Sequence, residues 1–388
     1  MTTDRQAGMP VLQLDRVVVR GTNWVGDAVM TVPALRALRQ LFPRAHLTLA
    51  TRSWAKGLFT EADFVDELLV HEGSGLRSVV QQVRQWRTHD FDAAVLFPNS
   101  LESALVASLA RVPLRIGYAA DGRQGLLTHP LDLPSWRSSR HEVFYYLNIV
   151  EHLQQMSDYP AGVLGPPPDG SLKVGESRKS AALEMLRAKG VKGLNGEGHR
   201  QQPLIALCPG SINSRAKRWP PERFAALADL FIDELEAEVL LIGSAAEAEV
   251  SQEVSARMRN KCINLTGHTD LAELVAVLSV VELLVTNDTG PAHIASALER
   301  PTLVIFGPTN PLTTGPFSEM GAIVREPPDC APCMLRDCPI DHRCMTAITP
   351  DQVFKRAQVM LANKLKEPLN KSRLGFVPRS GTDHPQRT

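Results

Sequence analysis

Short aliphatic runs alternate with amphipathic stretches along this chain, twice over, and that rhythm constrains the fold more than any other feature. RVVVR (16–20), HLTLA (46–50), DELLV (66–70), DAAVLF (92–97) and LRIGY (114–118) are separated by segments of helical period such as 27–41 and 76–87. Parallel neighbours need a crossover that a helix supplies, so this grammar builds a parallel sheet wound on both faces. The alternation pauses at the Pro- and Gly-rich DYPAGVLGPPPDGS (158–171), a helical stretch near 176–189 and the polar GVKGLNGEGHRQQP (190–203). It restarts with LIALC (204–208), EVLLIG (238–243), CINLTG (262–267), ELLVTN (282–287) and TLVIF (302–306). The fold class is therefore α/β, with two doubly wound parallel-sheet lobes and a cleft between them. The lobes are placed at 14–172 and 203–350, with a helix and linker at 173–202 and a C-terminal helix at 351–365. The tail at 366–388 has few apolar residues and no periodicity, and is expected to be disordered.

Composition removes several function classes. Two lobes of about 170 residues can each bury a full core. Lys plus Arg equals Asp plus Glu, 42 against 42, so no global basic field marks nucleic acid as a partner. No apolar run approaches the roughly 20 residues of a membrane span, and the N-terminal MTTDRQAGMPVLQLD lacks the apolar core of an export signal. Of the six cysteines, four are bunched between 330 and 344, unlike a disulfide framework. A soluble protein of the reducing cytoplasm is expected, with peripheral contact at the inner face of the inner membrane left open.

Open α/β sheets bind ligands beyond the carboxyl ends of their strands, so chemistry belongs on the loops that follow strands. After the first strand, GTNWVGDAVMTVPALRALRQLFP brings Asp27 to the opening of a helix, where it is either a cleft carboxylate or a first-turn acid favoured by the helix dipole. The loop lacks G-x-G-x-x-G, which disfavours a dinucleotide. In the second lobe CPGSINSRAKRWPPERF runs through Gly210, Ser211 and Asn213 to Lys217, a lysine able to meet a phosphate, or else part of a solvated basic loop. TNDTGPAHIASALERPTLVIFGPTNP gives the strongest signal. Asp288, Thr289, Gly290 and His293 surround a helix start with Pro291 at its first position, ready for a diphosphate. A plain N-cap by Asp288 or Thr289 would not explain Gly290 and His293. HDFDAA (89–94) offers a D-x-D, but it precedes a strand, so Asp90 and Asp92 read as structural.

Cys330, Cys333, Cys338 and Cys344 form C-x2-C-x4-C-x5-C with His342 inside. Four soft ligands suit a structural zinc that pins the loop, although the spacing matches no standard finger and reduced or redox thiols would leave the same pattern.

Together, the four motifs GTNWVGDAVMTVPALRALRQLFP, CPGSINSRAKRWPPERF, LIGSAAEAEV and TNDTGPAHIASALERPTLVIFGPTNP, in that order, resemble glycosyltransferase family 9, and within it the heptosyltransferase II group. The likeness extends from about residue 15 to 362. It implies a GT-B architecture of two Rossmann-like lobes, donor in the C-terminal lobe and acceptor in the N-terminal lobe. It also implies inverting, metal-independent transfer of heptose from an ADP-heptose donor to the lipopolysaccharide inner core, with no cofactor required. By the same resemblance Asp27 is the general base, Lys217 meets the donor phosphates, and Asp288, Thr289, Gly290 and His293 belong to the donor site with Gly210, Ser211, Asn213 and Ser244. An acid near the ribose is expected after the LIG strand; Glu247 and Glu249 both qualify, and Glu247 is favoured. An anionic acceptor makes Trp24, Arg52, Lys56, Arg115, Arg137 and Arg140 candidate contacts. The alternatives are another family 9 transferase, with a different acceptor or sugar nucleotide, or a nucleotide-sugar-binding protein without catalysis.

Overall fold

The computed structural model describes residues 14–157, 168–192 and 202–366; the tail expected to be disordered, apart from Lys366 at the end of the last helix, and most of the two Pro/Gly-rich segments lie outside the described residues. The first lobe holds β1 (Arg16–Arg20), β2 (His46–Arg52), β3 (Glu67–His71), β4 (Ala93–Leu96), β5 (Leu114–Tyr118) and β6 (His129–Leu131). They pair in parallel in the order β3-β2-β1-β4-β5-β6. The second lobe holds β7 (Leu204–Cys208), β8 (Glu238–Leu241), β9 (Ile263–Asn264), β10 (Leu283–Asn287), β11 (Thr302–Phe306) and β12 (Gly321–Arg325). They pair in parallel as β12-β11-β10-β7-β8-β9. Each sheet reverses its winding once, between β1 and β4 and between β7 and β10, so each opens a crevice at those carboxyl ends.

The central strands are apolar on both faces because helices cover both faces: Val17, Val18, Val19 and every residue of β7 and β10 are buried. The amphipathic segment expected at 27–41 is two helices, Val25–Met30 and Val32–Leu41, joined at Thr31. Pro33 has no N–H to continue the ladder, and its ring would meet the carbonyl four residues back, so the chain restarts its helix there.

One apolar core runs through both lobes, from β1 and the helix Glu142–Met156 to β7 and the helices Leu271–Leu278 and Gly290–Ala297. The helix Glu176–Ala188 spans the seam: Arg178 donates to the carbonyls of Gly57 in the first lobe and Ala272 in the second, at 3.0 and 2.8 Å. Gly57 is there because a Cβ would stand 2.5 Å from the Ala272 nitrogen. The last helix, Pro350–Lys366, packs on the helix Pro221–Leu235. Among the described residues no helix is long and apolar enough to cross a membrane.

Candidate active site

The crevices of the two sheets face each other, and at the seam two helix starts touch. Gly26 lies in the helix Val25–Met30, and a Cβ there would come 2.8 Å from His293 Cδ2; one on Gly290 would come 3.1 Å from Val25 Cβ. A side chain on Gly26 would force His293 to shift, and one on Gly290 would crowd Val25, which gives both glycines a packing reason.

Asp27 follows directly, on the first turn of its helix, with Trp24 as an N-cap that makes no side-chain capping bond. No capping box ties the Asp27 carboxylate to the helix start. Tyr146 Oη donates to Asp27 Oδ1 at 3.5 Å from the helix Glu142–Met156. Burial pushes the Asp27 carboxyl above its ordinary range; the Tyr146 hydrogen bond and the charge of Lys217, across the seam, oppose that rise. Glu142 is also pushed up, by burial first and by Asp27 as well, with Arg137 opposing. Tyr146 and Glu142 are site residues that sequence reasoning missed; the one signal was an acid opening a helix, and nothing local ties it to Asp27.

On the facing lobe, Lys217 ends the short turn Arg215–Lys217 and donates to Asp288 Oδ2 at 2.8 Å and to the Asp288 carbonyl at 3.3 Å. Thr309 Oγ1 donates to the same Oδ2 at 2.8 Å. Asp288 Oδ2 thus accepts two hydrogen bonds. The buried Asn287 joins three loops: its amide donates to the carbonyls of Pro209 and Gly210 at 2.8 and 3.1 Å, and its Oδ1 accepts from Trp219 N at 3.0 Å. The helix Gly290–Ala297 starts at Thr289 with no side-chain cap, because the Thr289 hydroxyl turns back to the Asn287 carbonyl at 3.3 Å. Pro291 falls at the second helical position, where its missing N–H is still one of the orphans. An uncapped start beside a lysine is a positive site for an anion. His293 is buried, and burial pushes its imidazole down to about 4 against the pull of Asp288, so it is neutral at neutral pH.

At the ends of β7 and β8, Glu247 is buried with Oε2 accepting from Ser244 N and Ser244 Oγ, both at 2.8 Å. A Cβ on Gly210 would collide with that carboxylate. Glu249 points outward from the next helix and is exposed. Ser211 is buried, its carbonyl accepting from Arg218, while Asn213 is exposed on the loop.

The acceptor-side expectations divide. Trp24 is exposed beside Asp27, at 58%. Arg52 ends β2 at the crevice and donates to the Gly73 carbonyl. Arg140 stacks over Phe144 at 3.8 Å beside Phe317 of the facing lobe, on the rim that the Asn310 to Ser138 hydrogen bond closes. Arg115 is a correction. It is the second residue of β5, at the amino end of the sheet, with Nε donating to the Leu126 carbonyl at 2.7 Å and Nη1 to the Val112 carbonyl at 2.6 Å. It braces the β5–β6 connection and faces away from the cleft. Asp92 is likewise at that edge, where Oδ2 accepts from the backbone of Asp15 and Arg16 at 2.9 and 2.8 Å.

The four-cysteine loop lies against the Lys217 turn. Ala216 N donates to the Arg336 carbonyl at 2.9 Å, His342 Nε2 donates to the Ala216 carbonyl at 2.6 Å, and Arg215 pairs with Asp337. Cys344 is buried, its thiol pushed up to about 11 by burial and by the neighbouring Cys333, Cys338 and Cys330. All four are free thiols, and among the described residues no group of three or more His, Cys, Asp or Glu side chains is arranged to hold a metal ion. The hydrogen bonds from Ala216 and His342 dock this loop beside Lys217.

Comparison with known proteins adds the family. Residues 79–343 match the model of glycosyltransferase family 9 (heptosyltransferase). Lipopolysaccharide heptosyltransferase 2 of Escherichia coli K12 is 30% identical over 359 residues, 89% of this chain and 98% of that protein. The Salmonella typhimurium protein of the same name is 29% identical over 362 residues, 90% of this chain and 99% of its own. The solved structure of E. coli ADP-heptose lps heptosyltransferase II superposes with a TM-score of 0.74 at 28% identity, covering 90% of this chain and 99% of that one.

Proposed function

From the premise that the chain belongs to glycosyltransferase family 9, and so is a glycosyltransferase of GT-B fold, we propose that it transfers heptose from ADP-L-glycero-D-manno-heptose to a heptosyl-Kdo lipopolysaccharide inner-core acceptor, with inversion and without a metal. Asp27 takes the proton from the acceptor hydroxyl, whose oxygen attacks the anomeric carbon as the bond to the diphosphate breaks on the opposite face. ADP leaves with its new negative charge against Lys217 and the uncapped start of the helix Gly290–Ala297. The donor rests on Gly210, Ser211, Asn213, Ser244, Glu247, Asp288, Thr289, Gly290 and His293, and the acceptor on the first lobe near Trp24, Arg52 and Arg140.

One observation carries this reading. A carboxylate with raised proton affinity on one lobe stands within electrostatic reach of a lysine on the other, where two helix starts touch. A base and an anion stabiliser on opposite sides of a cleft are what an inverting displacement requires. The test is ADP release from ADP-heptose, with and without a Kdo-containing acceptor bearing one heptose, in EDTA. Release that depends on the acceptor and survives EDTA is expected. Tight ADP binding with no release would overturn the acceptor assignment, and release abolished by EDTA would overturn metal independence.

A further inference from the structure

We propose that Arg20, Arg52 and His71, at the carboxyl ends of β1, β2 and β3, form a subsite for one anionic group of the acceptor, a carboxylate or a phosphate. The proposal rests on the lipopolysaccharide-core reading above. Parallel pairing sets Arg20 beside Ala50, Ala50 beside Leu69, and Arg52 beside His71, so these side chains share one face of the sheet. The helix Leu76–His89 covers that face, and its Gln82 accepts from Arg20 Nη1 at 2.6 Å.

The site is polar, buried and incompletely satisfied. Arg20 is 3% exposed, and the carboxylate paired with it, Glu102, lies 3.5 Å from Nη2. Burial pushes Arg20 down to about 10, Glu102 opposes that and the Arg52 charge adds to it. His71 is 5% exposed, and neither ring nitrogen has a partner among the described residues. The hydroxyl of Thr22, in the loop after β1, is also buried without one. Native proteins satisfy nearly all buried polar atoms, and an imidazole with both nitrogens orphaned beside two guanidinium groups and one carboxylate needs an explanation. An anion supplies it: it accepts from the arginines and from one N–H of the neutral imidazole, and it offsets the excess positive charge. The β1 end that holds Arg20 continues through Gly21–Trp24 into the Asp27 helix, so an anion gripped here would set the acceptor's position relative to the base.

Arg52→Gln and His71→Phe test this with the full chain. A buried histidine of purely structural role would tolerate an apolar ring of similar size with unchanged or raised Tm and unchanged kinetics. The subsite instead predicts acceptor KM raised about tenfold or more in each variant, with kcat and donor KM near the parent values. Running the parent and variants on phosphorylated and on enzymatically dephosphorylated acceptor separates the sources. A penalty confined to the phosphorylated acceptor identifies a phosphate, and an equal penalty on both identifies a carboxylate. Inorganic phosphate titrated calorimetrically into ADP-saturated protein gives a readout independent of transfer: heat lost in the variants supports the site even if heptose transfer fails. Unchanged acceptor KM together with unchanged phosphate heats would overturn it.

Discussion

Gly26→Ala probes the seam between the base and the donor site. The new Cβ would stand 2.8 Å from Cδ2 and 3.3 Å from Nε2 of His293, where carbon atoms in contact sit about 3.5–4.0 Å apart. His293 is buried at 7% exposure, so its ring has little room to retreat. Overpacking of such a contact costs roughly 1–3 kcal/mol. Within its own helix the alanine is favoured over glycine by about 0.5–1 kcal/mol, so the first lobe should fold at least as well. The cost therefore falls on bringing the lobes together, and turnover should drop about 5- to 150-fold. ADP affinity by calorimetry should stay within about threefold, because Lys217, Asp288 and Thr289 all belong to the other lobe. Adding His293→Ala removes the ring that the Cβ strikes, and should return turnover to that of His293→Ala alone. A Gly26→Ala protein with parental turnover, or one that loses ADP affinity in step with rate, would refute the role of this contact in assembling the site.

The parts of the molecule legible in sequence are those whose physics is local. Val17–Val19 and Leu283–Val285 read as strands because both faces are buried and every residue is apolar. β6 did not, because it is three residues long, carries Pro130 and is only partly buried at the sheet edge. Asp27, Lys217 and Asp288 stood out because each follows a strand that borders a switch point. Tyr146, 119 residues from Asp27, reaches it only through the packing of the helix Glu142–Met156 on the first helix of the chain. Arg115 was misassigned for a related reason: composition shows a cation in a strand but not that it sits at the amino end with its guanidinium on two carbonyls. The cysteine spacing announced thiols, while the bond from His342 to Ala216 that docks their loop beside Lys217 belongs to tertiary structure.

Two predictions concern the charges themselves. Burial raises the Asp27 pKa, and an acid whose folded pKa lies above its unfolded value stabilises the fold only at low pH, an effect lost as pH rises through the folded pKa. Asp27→Asn should thus lower turnover about 10²- to 10⁴-fold while Tm at pH 7 is equal or higher, and the parent's rate should fall on the acid side through a pKa above the ordinary 3.8. A lower Tm would show that the carboxylate supports the fold rather than the chemistry. Lys217→Ala should weaken ADP binding about 10- to 100-fold and also lower Tm, since it strands the buried Asp288 carboxylate, 5% exposed, with Thr309 donating to it. The double variant Lys217→Ala, Asp288→Asn separates the two effects. Neutralising the stranded charge should recover Tm and leave ADP binding weak, because the missing positive charge is what the diphosphate meets. If ADP affinity returned together with Tm, the lysine would act only by holding the Asp288 loop, and the leaving group would have to depend on the helix start alone.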